Sequence, residues 1–198
     1  MGEIIQNKNV KKIEKEGGRY EVIAKYFLLN VLLSFFGWAF ETTLMWVMYG
    51  KFFDRGFLHL PLCPIYGTSL MITYFLLGTP DEGRGILKRV ENPLTRYVFY
   101  ALFAFLIPTA AELVVGFVFD VFYDTQLWSY TGMPLNFRGY VSVPISLGWM
   151  AMIFLFMKYL FPWLKKTIFK TPKGVALSVA VVLLTAIAVD AVFSYMRL

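Results

Sequence analysis

The chain has a single cysteine, Cys63, and a single histidine, His59. One cysteine excludes an intrachain disulfide, and one of each leaves no ligand set for a zinc site built on His and Cys. Cys63 stands between Pro61 and Pro64 in an apolar run and reads as a small buried side chain, and His59 reads as an interfacial residue. There is no Gly-x-Ser-x-Gly, no His-Glu-x-x-His, no Ser/His pair spaced for acyl transfer and no phosphate-binding Walker loop. No enzymatic activity and no cofactor are therefore expected, and ATP is not hydrolysed by that route. A cleavable signal peptide is not expected either: the first 25 residues are mostly polar, and the first apolar run is far longer than a signal's.

What the chain has in abundance is apolar surface. It is 58% hydrophobic and 19% aromatic, with a mean hydropathy of +0.60. A hydrocarbon core of about 30 Å needs about 20 apolar residues at about 1.5 Å each. Five runs qualify, at about 26–49, 57–78, 97–120, 140–161 and 174–196. They are too long and too continuously apolar for barrel strands. The expected fold is all-α: a polytopic membrane protein of five transmembrane helices. Residues 1–25 form a basic arm, with a short surface helix expected over Val10 to Tyr20. Residues 26–165 form a membrane domain of two hairpins (26–78 and 97–161), and residues 166–198 a basic linker and the fifth helix.

Charge sets the orientation. Of 19 basic residues, 15 fall in the arm, the 79–96 loop and the 158–173 segment, against 4 on the other side. By the positive-inside rule the N-terminus is cytoplasmic and the C-terminus outside, in a cell membrane. The net charge of +6 then reflects orientation and attraction to anionic lipid, with no nucleic-acid partner.

Arg55-Gly56-Phe57-x-x-x-Pro61 recurs as Arg138-Gly139-Tyr140-x-x-x-Pro144. An apolar run carrying one glutamate near its far end precedes each copy, Glu41 and then Glu112. An ionisable group inside a span is costly, about 2.5–3.5 kcal/mol for a charge on the insertion scale, so two in the same order suggest duplicated hairpins around a polar site. The Glu-to-Glu offset is 71 residues and the Arg-to-Arg offset 83, the difference being a longer second loop. Each arginine, at the start of a helix, is expected to reach its glutamate, with the helix N-termini adding partial positive charge that favours an anionic group. Pro61 and Pro144 fall at or near the first helical turn, and Pro108 should loosen the third helix beside Glu112. The expected site is Glu41, Arg55, Glu112 and Arg138, with Asn136, Trp128 and Tyr130 at its rim and Asp190 as a further intramembrane carboxylate, either coupled to function or locally paired.

Several linked motifs in residues 30–165 resemble the ABC-transporter type IV family of bacterial integral membrane proteins. They are Phe36-Gly37-Trp38-Ala39-Phe40-Glu41, Asp54-Arg55-Gly56-Phe57-Leu58, Pro61-Leu62-Cys63-Pro64-Ile65-Tyr66-Gly67, Leu127-Trp128-Ser129-Tyr130, Asn136-Phe137-Arg138-Gly139-Tyr140 and Ser146-Leu147-Gly148-Trp149. The resemblance implies a permease-like subunit served by a separate ATPase, for which the 79–96 loop is the first docking candidate and 162–173 the second. Five spans are few for a self-sufficient channel, so a homodimer or larger complex is expected. The leading expectation is transport of a small anionic or zwitterionic solute through an outward-facing pocket. The alternatives are an enzyme acting on lipid or envelope precursors at the outer leaflet, with a glutamate as general base and arginines on phosphate, and a structural or regulatory membrane partner whose charged pairs only clamp helices.

Overall fold

The computed structural model describes residues 18–52 and 56–196, so the surface helix expected over Val10 to Tyr20 lies almost wholly outside the described residues, as does Arg55. Helix α1 (Arg19–Tyr49) is about 46 Å long, more than a membrane's apolar thickness. It starts within the expected basic arm. It ends at Gly50, whose left-handed backbone (φ 66°) lets its N–H close on the Trp46 carbonyl. Helix α2 (Pro64–Leu77) follows, then a 3-10 turn (Gly85–Arg89) and α3 (Pro93–Tyr123). A two-stranded hairpin, β1 (Asn136–Phe137) and β2 (Val141–Ser142), leads into α4 (Val143–Leu155). A π-helical turn (Phe156–Leu160) joins α4 to α5 (Phe161–Lys170), and α6 (Lys173–Tyr195) closes the order.

Four helical stretches among the described residues are long and apolar enough to cross a membrane: α1, α3, the continuous 143–170 stretch, and α6. The fifth expected run, 57–78, is different. Its helix has 14 residues and rises about 21 Å, too short to cross alone. The reason is local: Pro61 and Pro64 flank Leu62-Cys63, and the residue before a proline is biased to extended backbone, as Cys63 shows (φ −111°, ψ 93°). Residues 56–63 are therefore non-helical, and Pro61 precedes the helix instead of opening it. Non-helical backbone at membrane depth is tolerated only when protein covers it. Here Leu58 and Leu62 pack against Val31 of α1 and Leu183 and Ile187 of α6. The exposed N–H groups are also met: Cys63 donates to the Ser34 carbonyl (3.1 Å) and Leu60 to the Asp190 carboxylate (3.0 Å).

Helices α1 and α2 approach closely through glycine. A Cβ on Gly67 would stand 2.2 Å from Ser34 Oγ and 2.5 Å from the Asn30 carbonyl, the small-residue contact common between membrane helices. The main core joins Leu29 and Leu33 (α1), Met71, Tyr74 and Leu77 (α2), Tyr100 and Ala104 (α3), and Ile153, Met157 and Phe161 from α4, the π turn and α5. It lies towards the end carrying the basic loops. There Tyr97 bonds Asp81 (2.6 Å) and receives Lys158 (3.0 Å), tying the 79–92 loop to α3 and the π turn. Helix α6 packs outside, with Ala176 and Ala180 against Ala24 and Leu28 of α1. Its valines and Leu184 remain exposed, as a lipid-facing helix requires.

Candidate functional site

Glu41 lies on α1, one turn after Gly37. A Cβ on Gly37 would sit 2.5 Å from the Tyr66 ring, so the glycine lets that ring lie flat on α1. This places the Tyr66 hydroxyl 2.7 Å from Glu41 Oε2, to which it donates. Glu112, on α3, is only 7% exposed. Its Oε1 accepts from the Tyr130 hydroxyl at 3.3 Å, while its Oε2 is buried without a partner among the described residues. The two glutamates and the two tyrosines are close enough to interact electrostatically. Each hairpin thus contributes one Glu–Tyr pair to a shared cluster.

Tyr130 reaches Glu112 because the 124–142 loop is strongly structured. The Tyr130 N–H donates to the Gly139 carbonyl (2.8 Å), and Trp128 Nε1 donates to the Tyr140 carbonyl (2.9 Å). Asn136 bridges, donating to Met133 (2.8 Å) and accepting from the Gly139 N–H (3.2 Å). Arg138 and Gly139 form the tip of the β1–β2 hairpin. Both have positive φ (52° and 75°), and Tyr140 N–H closes on Phe137 O (3.0 Å), the pattern of a type I′ turn. Burial, and then the Glu112 carboxylate, push the Tyr130 phenol above its ordinary range, so it stays a neutral donor to that carboxylate.

A cavity of about 300 Å³ opens at this cluster. Phe36 and Phe40 of α1, Tyr66 and Ser69 of α2, and Glu112 of α3 line it. Trp149 of α4 and Phe156 of the π turn close the other side. Pro108, one turn before Glu112, also faces it. A proline removes one backbone hydrogen bond inside a helix, and a π turn widens one. Both irregularities therefore border the cavity. Trp149 Nε1 stands near the Tyr130 hydroxyl without a hydrogen bond of normal geometry.

One expected partnership is replaced, and that of Glu41 with Arg55 lies outside the described residues. Glu112 meets Tyr130 and not Arg138, which is exposed at the hairpin tip. Trp128 and Asn136 hold the loop instead of lining the cavity. Asp190 lies elsewhere: besides Leu60 N–H it meets His59 Nδ1 at 3.0 Å, and Ser194 Oγ stands 2.9 Å from the same nitrogen. Ser, His and Asp thus come together, but both oxygens address one ring nitrogen, unlike the acyl-transfer relay, which uses both. The cluster ties α6 to the broken 56–63 segment, and it gives His59 a bonded role in place of a bland interfacial one. Gly56 (φ 109°) and Gly139 both have positive φ, but Pro144 sits in the first turn of its helix while Pro61 lies outside any helix. Tyr66 and Trp149 escaped notice as site residues, although a buried Tyr or Trp needs a partner for its polar end.

No curated protein and no solved structure matches the chain. A model of the family described as "Putative ABC-transporter type IV" matches residues 28–195. That range takes in both Glu–Tyr pairs, the broken segment, the structured loop and all of α6. On that coverage, and with helices of membrane-spanning length and composition, this membrane protein belongs to the ABC-transporter type IV family.

Proposed function

We infer that the protein is a transport subunit that takes a small solute with an apolar body into the cavity between α1, α2, α3 and α4. The observation that carries this reading is the cavity itself, about 300 Å³, roughly twice the volume of a 150 Å³ engineered cavity that holds benzene. Ligand sites are commonly concave and mostly apolar, with a few placed polar groups, and this wall is aromatic and aliphatic around one buried carboxylate. No lysine or arginine among the described residues lines it. An anionic solute, one of the classes expected from the arginine motifs, would face Glu112 with no compensating charge among those residues.

Orientation by the positive-inside rule puts the 124–142 loop, and with it the Glu–Tyr cluster, towards the outer face. On the basic side Leu87 is buried in the core, while Ile86, Lys88 and Arg89 are exposed on the same 3-10 turn. That makes the turn our choice of contact for an ATPase subunit. The lipid- or envelope-enzyme alternative wants an arginine beside the glutamate, and the Tyr130 contact of Glu112 does not favour it.

The test fills the cavity. Leu70→Trp should occupy the space from α2 while keeping an apolar side chain. Small molecules inside and outside cells would be compared by mass spectrometry, with wild type and variant at equal abundance. Transport predicts at least one solute redistributed by the wild type and not by the variant. Identical solute profiles from two folded proteins would remove the transport reading.

A further inference from the structure

Four buried side-chain polar atoms lack a hydrogen-bond partner among the described residues: Thr42 Oγ1, Glu112 Oε2, Ser146 Oγ and Trp149 Nε1. All four lie on helices that wall the cavity, and Glu112 and Trp149 line it directly. Leaving a buried polar group unpaired is costly, and more so for a charged one. Glu112 is more than nine-tenths buried, is interior to a long apolar helix, and lines the cavity. Glu41 stands near enough to add a second negative charge to the same region. No basic side chain among the described residues lines the cavity.

We propose that the cavity is a binding site for an organic ammonium ion, a protonated amine on an apolar body of one to two rings, with the Glu112 carboxylate as its hydrogen-bond acceptor. The proposal rests on the cavity reading above and names the class of solute. The ammonium N–H groups meet the Glu112 carboxylate, and the positive charge offsets its negative one. The aromatic wall fits the same class: cations are attracted to the faces of Trp, Tyr and Phe, and Tyr66 and Trp149 pack with ring centroids 5.1 Å apart, with Phe40 at 6.0 Å from Trp149. Apolar residues such as Leu33, Leu70 and Ile153 take the ligand's body. A neutral solute would leave the charge uncompensated, and an anion would add to it.

Three probes of nearly equal shape separate these cases: phenethylammonium, 2-phenylethanol and phenylacetate. Binding is read from dose-dependent thermal stabilisation of the purified full chain in detergent at neutral pH, since a ligand at free concentration L that binds only the folded state raises its stability by RT ln(1 + L/Kd). Phenethylammonium should bind about tenfold more tightly than 2-phenylethanol, the worth of one charge-assisted hydrogen bond, and phenylacetate should not bind. Glu112→Gln should abolish the preference for the ammonium while leaving 2-phenylethanol unchanged. Should that variant fail to fold, the ranking of the three probes on the wild type decides by itself. Equal affinity for the ammonium and the alcohol would overturn the cation site and leave the cavity reading standing. Stabilisation by phenylacetate alone would overturn it in favour of an anion. No response to any probe would overturn both the cation site and the cavity as a solute site.

Discussion

Gly139 shows how one residue serves a site it does not touch. Its φ of +75° is a conformation that L side chains rarely adopt, and a Cβ there would stand 2.7 Å from Thr131 Oγ1. Gly139→Ala should therefore destabilise the protein by about 1–2 kcal/mol, the strain of a left-handed residue. Gly132→Ala, in the same loop with nothing within 4 Å of its Cβ, should change stability little. Melting temperatures of the two variants in detergent check the contrast, and a larger loss at Gly132 would refute the turn assignment. Asp190 makes a second case. Asp190→Ala removes the acceptor for Leu60 N–H and the partner of His59, leaving a buried donor unmet at about 1–3 kcal/mol. Asp190→Asn keeps one acceptor oxygen and should lose less. The two variants being equally damaging would mean that Asp190 acts through its charge alone. Its position in an apolar run was legible; its partner, 130 residues away in sequence, was not.

At the scale of elements, the informative departure is α2. Hydropathy over 57–78 reads as one span because apolar side chains continue through the break. The prolines end the helix without ending the hydrophobicity. What makes the break tolerable is its neighbours, α1 and α6, which no local pattern reveals. The close crossing of α1 and α2 is testable at Gly67. Gly67→Ala would drive a Cβ into the Asn30 carbonyl at 2.5 Å, and backbone cannot swing aside as a side chain can. Overpacking of this kind destabilises by about 1–3 kcal/mol. The adjacent Glu41–Tyr66 bond should weaken as the helices part, so the variant should lose both stability and any response to phenethylammonium. Gly174→Ala, in open space, is the matched control; similar losses from both would argue against a tight crossing.

For the molecule as a whole, orientation decides which side the site serves. Single cysteines at Gly132 and Lys88 probe opposite ends, and Cys63 is buried and should stay silent towards a membrane-impermeant maleimide. The Gly132 position should label in intact cells and the Lys88 position only after permeabilisation. The reverse pattern would turn the cavity's loop end to the cytoplasm. Sequence alone determined the helical membrane class and the family, and it singled out Glu41 and Glu112, because hydrophobic length, linked motifs and a charge in an apolar run are local properties. Only the tertiary structure decided what those glutamates meet. For Glu112 the natural partner by charge was Arg138, but a carboxylate in a packed bundle bonds whichever donor the fold carries within about 3 Å. Here the Gly37 contact and the turn at Arg138 and Gly139 bring tyrosines there, and the same packing gathers atoms from four helices around one cavity.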